Sequence, residues 1–113
     1  MITENIDGND RAASQGGKVF EIHGNLDYMR CSKRCSKNLH PSVLGNDEEI
    51  KQAPKCPKCR AICQPHILRH SEEYTEEYYR SKSATKMLES ADVLIVLGST
   101  LTKNLPRRLT HIA

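Results

Sequence analysis

Two cysteine pairs, Cys31-x3-Cys35 and Cys56-Pro-Lys-Cys59, constrain this chain more than any other feature. Pairs separated by twenty residues can converge on one tetrahedral Zn²⁺, each short loop supplying two sulfurs. In the second loop Pro57 pre-sets a bend that aims both thiols the same way. The first loop is one residue longer than the commonest knuckle but stays within the range of structural zinc ribbons. Disulfide pairing is the alternative reading; the paired spacing and the lack of a secretory segment weigh against it. The remaining cysteine, Cys63, lies in the apolar run Ala61-Ile62-Cys63 and reads as a small packed residue. Zn²⁺ held by Cys31, Cys35, Cys56 and Cys59 is therefore the first expectation.

A metal in the middle of 113 residues suggests two small units sharing it. Hydrophobic residues make up 37% of the chain, with no tryptophan and one phenylalanine, too few for a large self-sufficient core. Zinc or a partner has to supplement burial in units this small. The 17 basic and 14 acidic residues are intermixed, for a net charge of +3. That pattern argues against an electrostatically driven nucleic-acid binder, which shows a concentrated basic stripe. The nearest candidates, Arg30-Cys31-Ser32-Lys33-Arg34 and Arg107-Arg108, read as solvated surface. No apolar run reaches the length of a membrane span, and the N-terminus lacks a signal-peptide pattern. The composition thus predicts a soluble protein of an intracellular, reducing compartment, with cytoplasm, nucleus and organelle matrix all open.

Along the chain, Met1 to Asn5 reads as a strand end followed by a turn at Asp7-Gly8, then a short helical turn stopped by Gly16-Gly17. Val19 to Ile22 alternates as a short strand ending at His23-Gly24. The zinc module follows, its segment Ser36 to Pro54 polar and turn-rich, with Ile67-Leu68 closing it. Glu72 to Ala91 is helix-prone, with Ala84, Met87, Leu88 and Ala91 on one face. Val93 to Leu97 is a run of five aliphatics that fits a strand buried on both faces of a parallel sheet. Gly98-Ser99-Thr100 stands at its carboxyl end, where open α/β sheets bind nucleotides. Pro106 suits the start of a final helix.

Taken in order, these pieces resemble the sirtuins. Thr3-Glu4-Asn5-Ile6-Asp7-Gly8 is similar to that family's Thr-Gln-Asn-Ile-Asp-Gly segment, and Glu21-Ile22-His23-Gly24-Asn25-Leu26 to its His-Gly strand end. The cysteines begin eight residues after the histidine, and Cys56-Pro-Lys-Cys59 is followed by Pro65. Ala91 to Leu101 resembles the Ala-Asp-strand-Gly-Thr-Ser-Leu segment, so the likeness extends from Thr3 to Pro106. It implies an α/β fold: a partial Rossmann-like parallel sheet over residues 1–24 and 65–113, with an inserted zinc-ribbon module over 25–64. The activity implied is NAD-dependent transfer of an acyl group from a protein lysine to ADP-ribose, with release of nicotinamide. His23 would be the general base on the nicotinamide ribose, because imidazole exchanges a proton near neutrality. Asn5, Ile6 and Asp7 would line the nicotinamide and ribose pocket. Gly98, Ser99 and Thr100 would approach NAD on its adenosine side. The zinc would be structural, since four cysteines leave no open position.

Other roles stand beside these. His23 could cap backbone at a strand end, Asn5 to Gly8 could form an Asx turn, and Ser99 or Thr100 could cap a helix. Tyr74, Tyr78 and Tyr79 read as packing residues. Glu4 replaces the family's glutamine, and Leu68-Arg69-His70-Ser71-Glu72 replaces its Val-x-Phe-Gly-Glu, placing His70 where the acyl-lysine tunnel has an apolar wall. The family's glycine-rich strand–loop–helix, which holds the cofactor pyrophosphate, has no counterpart in this sequence. NAD binding is therefore expected only with that missing half present, from a complementary chain or a larger assembly. Acylated lysine of a protein is the implied substrate. A catalytically inactive, zinc-stabilised subunit and an unrelated zinc-ribbon binding module are the competing readings.

Overall fold

The computed structural model describes residues 1–43 and 52–112. Strands β1 (Ile2–Thr3) and β2 (Phe20–Glu21) pair in parallel, with Ile2 opposite Phe20 and Thr3 opposite Glu21. Helix α1 (Asn9–Ala13) lies between them in sequence. The chain then turns at His23 and enters β3 (Gly24–Cys31), the centre of an antiparallel sheet flanked by β4 (His40–Pro41) and β5 (Cys63–Ile67). Glycine is required at the turn. Gly24 has φ +87°, and a Cβ there would stand 2.0 Å from the His66 carbonyl oxygen. No other residue lets β3 approach β5 so closely at this point.

Three helices follow: α2 (Glu76–Tyr79), α3 (Ser81–Glu89) and α4 (Asn104–Ile112). The Thr75 side chain caps α2, accepting from the Tyr78 amide. Glu76 then caps α3, its carboxylate accepting from the Lys82 and Ser83 amides at 2.7 and 3.0 Å. Satisfying these otherwise unpaired amides lets two short helices meet at Arg80, which takes a left-handed conformation. Pro106 is tolerated in the first turn of α4, where its missing N–H has no helical acceptor.

One core joins the β1–β2 unit to the helices: Phe20 and Ile22 pack with Ala84 and Leu88 of α3 and Leu105 and Leu109 of α4. Each fully buried Leu or Phe contributes about 1.5–3 kcal/mol, so this small set suffices to hold α3 and α4 in place. The helical face expected at Ala84, Met87 and Leu88 is present, whereas Ala91 lies beyond the helix and is exposed. A second cluster, Met29, Cys31, Cys56 and Cys63, fills the cysteine module, and Cys63 is a buried packing residue there.

Two expectations are corrected. Val93–Leu97 is neither a paired strand nor buried: Val93 is 75% and Leu97 86% exposed, and no described strand pairs with the segment. A doubly buried strand needs ladder partners and covering layers on both sides, and the described residues offer neither. Leu94 to Leu97 and β1 both line one groove. Arg30, expected at the solvated surface, is instead completely buried. The polar segment expected over Ser36 to Pro54 lies partly outside the described residues. Among the described residues no helix is long and apolar enough to cross a membrane.

Candidate active site and metal centre

The four cysteines predicted as ligands come together. Their sulfurs all lie within 4.8 Å of one another, with Cys31 and Cys59 at 3.4 Å and Cys35 and Cys56 at 3.5 Å. Those separations are far beyond the roughly 2.05 Å of a disulfide. They match the edges of a tetrahedron whose metal–sulfur bonds are about 2.3 Å. The two loops are built alike, each with an arginine in the left-handed region, Arg34 at φ 50° and Arg60 at φ 62°. In each loop the later cysteine's backbone supports the earlier thiolate: Cys35 for Cys31, and Cys59 for Cys56. Cys31 is thereby pulled down to about 6, while the neighbouring sulfurs push Cys35 up to about 12. Four sulfurs this close cannot all be thiolates without a cation between them, and four soft donors with no carboxylate suit zinc.

The second centre is organised by His23, in the turn between the two sheets. Its carbonyl accepts from the Leu68 amide at 2.8 Å, tying it to the end of β5. The imidazole opens on a cleft of about 450 Å³ lined by Glu4, Asn5, Ile6, Asp7, His23, Ile67 and Leu68. A neighbouring groove of about 300 Å³ is lined by Gly98, Ser99 and Thr100 and shares Glu4 and Asn5 with the first. The Ser99 hydroxyl donates to the Glu4 carboxylate, fastening this loop to the segment after β1. The residues singled out in the sequence thus surround two adjoining clefts.

Several also have local work. The Asp7 carboxylate accepts from the Asn9 amide at 3.1 Å, an Asx turn entering α1. The Asn5 side-chain amide donates to Asp10 at 3.0 Å, and the Ile6 carbonyl accepts from the Leu26 amide at 2.9 Å. His70 and Ser71 are exposed and line neither cleft, while Leu68 does line the histidine cleft.

His23 Nε2 lies 2.8 Å from the Tyr74 hydroxyl and 3.8 Å from Glu4 Oε2. Burial lowers the imidazole pKa below 6.5, Glu4 opposes that shift and Lys103 reinforces it. The ring is therefore neutral at pH 7, with a lone pair to accept a proton. Tyr74 was expected only to pack. Its contact with His23 spans fifty-one positions, and no local spacing signals a pairing of that kind.

A small parallel α/β unit with a four-cysteine β module inserted after a histidine turn is a specific architecture. Sequence and structure comparisons place it. The chain belongs to the Sir2 family, which it matches over residues 1–104. It is 34% identical over 103 residues to an NAD-dependent protein deacylase of Thermococcus kodakarensis, covering 88% of this chain and 38% of that protein. An NAD-dependent protein deacetylase of Caldivirga maquilingensis is 35% identical over 104 residues, with 90% of this chain and 38% of the relative covered. Among solved structures, a mutant Sir2 homologue with ADP-ribose superposes at TM-score 0.79 with 27% identity, covering 98% of this chain and 42% of that one. A Sir2–p53 peptide–NAD⁺ complex gives TM-score 0.73 with 27% identity, over 98% and 45% of the two chains. The chain therefore spans less than half the length of these relatives.

Proposed function

We propose that this chain forms the histidine- and zinc-bearing part of an NAD-dependent protein-lysine deacylase. The observation that carries the proposal is the placement of His23, neutral and half-buried, in a cleft walled by Asn5, Ile6 and Asp7 and adjoining the Gly98–Thr100 groove. NAD, when bound, supplies the ribose that takes the acyl group as nicotinamide leaves. His23 accepts a hydroxyl proton at Nε2 and can return it, the role for which a near-neutral pKa suits imidazole. Asn5 and Asp7 offer an amide and a carboxylate to a carboxamide and to hydroxyls. Gly98, Ser99 and Thr100 line the neighbouring groove. His23, Asn5, Ile6 and Asp7 fit the nicotinamide-ribose side of the cofactor, and Gly98, Ser99 and Thr100 its adenosine side. Among the described residues no glycine-rich strand–loop–helix cradles a pyrophosphate, so we assign that part to a complementary chain or segment. The substrate is an acylated lysine of a protein, and the zinc is structural, holding β3 against β5. Five cysteines that form no disulfide suit an intracellular, reducing compartment.

A second reading, an inactive zinc-stabilised subunit, draws support from Asn5 and Asp7 being spent on Asp10 and Asn9. Deacylation of acyl-lysine peptides by the complete assembly with NAD separates the two. Nicotinamide release that disappears in His23→Ala supports the enzyme. Absence of turnover with both short and long acyl groups supports the subunit.

A further inference from the structure

We infer that Tyr74 is the positioning residue for His23, gripping the imidazole through Nε2 while Glu4 stands 3.8 Å from the same nitrogen; this rests on His23 acting as the base proposed above. The three side chains come from separate parts of the chain: the segment after β1, the turn before β3, and the loop before α2. Both partners of the histidine are themselves fixed. The Tyr74 carbonyl accepts from Ser81 Oγ at 2.9 Å, and its ring meets the buried Tyr79 edge-on at 6.3 Å. Glu4 is held by the Ser99 hydroxyl. The imidazole is thus clasped by two anchored groups.

One direction of the hydrogen bond fits both neighbours of the ring. Burial and the Glu4 carboxylate push the Tyr74 phenol up to about 12, so it keeps a proton to donate, and the Glu4 backbone also hydrogen-bonds the ring in the sense that favours an imidazole N–H. With that N–H on Nδ1, Nε2 accepts from Tyr74, and this is the tautomer we assign. A substrate hydroxyl arriving at Nε2 exchanges one O–H donor for another, and it meets a base already neutral, correctly tautomeric and aimed. Sequence alone shows no such link, because a tyrosine next to α2 has a sufficient role in packing.

The groups facing the ring are Glu4, Tyr74, Lys103 and, across the cleft, Asp7. Removing a donor to the neutral ring raises its pKa, whereas removing a nearby carboxylate lowers it. We would follow the His23 ring by nitrogen and carbon NMR in the isolated, zinc-loaded protein and in Tyr74→Phe and Glu4→Gln. The expected results are an Nδ1–H tautomer in the natural protein, and an upward shift of about half to one pH unit in Tyr74→Phe. Glu4→Gln should shift the titration down. In the complete assembly the acid limb of kcat/KM should move by the same amount in Tyr74→Phe. An Nε2–H tautomer, or an unmoved titration in Tyr74→Phe, overturns the inference; if that variant does not fold, the tautomer of the natural protein decides. Shifted titrations without any deacylation would leave the positioning role standing and remove the deacylase reading. Deacylation with an unmoved titration would do the reverse.

Discussion

The guanidinium of Arg30 and the carboxylate of Glu72 meet at 2.6 Å, with the arginine side chain wholly buried. Tyr78 lies under the guanidinium carbon at 4.9 Å, and Tyr79 donates to the carboxylate at 2.8 Å. Burial alone would raise the Glu72 pKa, but Arg30, the Arg69 amide and the Tyr79 hydroxyl outweigh it and bring it to about 2. This pair fastens the loop before α2 onto β3. Glu72→Gln should therefore cost about 3–5 kcal/mol, because it leaves a buried charge unpaired. Replacing both partners with apolar residues of similar volume should recover most of that loss. Urea melts of the single and double variants check it, and a near-neutral Glu72→Gln would show the pair to be solvated.

Stability should fall at mildly acid pH, and His66 sets the onset. It is buried, stacked on Tyr79 with an interplanar angle of 4°. Burial first, then the Arg30 charge, lowers its pKa from 6.5 to about 4. Between those values the unfolded chain binds a proton that the folded chain does not. Its contribution is fully present above pH 6.5 and drains away as pH falls toward 4. Glu72, also depressed, adds a second loss from 4.5 down to about 2. His66→Phe keeps an aromatic stack and should flatten the first window while sparing the second. Urea midpoints measured at stepped pH test this, and an unchanged slope in the variant would refute it.

Zinc loading should separate the five cysteines. Serine at Cys31, Cys35, Cys56 or Cys59 should abolish stoichiometric zinc and unfold the β3–β5 sheet, since metal binding and folding are coupled in such sites. Cys63→Ser should keep its zinc and lose only about 1–3 kcal/mol for a hydroxyl placed in an apolar site. Elemental analysis with circular dichroism reads both. Full zinc in any of the first four variants would exclude that residue as a ligand.

Gly24→Ala should be among the most damaging single substitutions. The added Cβ meets backbone at 2.0 Å, and φ is +87°. A cost of about 3 kcal/mol or more is expected, with chemical-shift changes concentrated at His23 and His66. A fold that tolerates it would mean the two strands can part here.

The cysteine module was legible because metal chemistry imposes a spacing that survives in the sequence. The apolar face of α3 was legible for a similar reason, since helical periodicity marks Ala84 and Leu88 whatever they pack against. The histidine cleft was reached through the likeness of short motifs, not through the residues' own spacing. Val93–Leu97 misled because hydrophobicity records what a segment requires, not whether the described chain supplies it. Arg30 misled in the opposite sense. A basic residue in one run with Lys33 and Arg34 reads as surface, and the carboxylate that makes its burial tolerable, Glu72, lies forty-two positions away. Tyr74 escaped for the same cause, a polar contact between distant segments.

Strand β3 begins at the residue after His23 and ends at Cys31, a proposed metal ligand. Eight residues form a rod of roughly 23–26 Å at about 3.3 Å per residue, pinned to β5 towards its two ends, at Gly24–Asn25 and Met29–Cys31, with a register shift between them. The cysteine cage and the imidazole therefore sit at opposite ends of one lever, with Gly24 as its pivot. A change in the sulfur cage that tilts the rod must swing the histidine relative to Tyr74 and Glu4. Exchanging the metal, as opposed to removing it, would then be felt at a distance as misalignment of the imidazole within a sheet still folded.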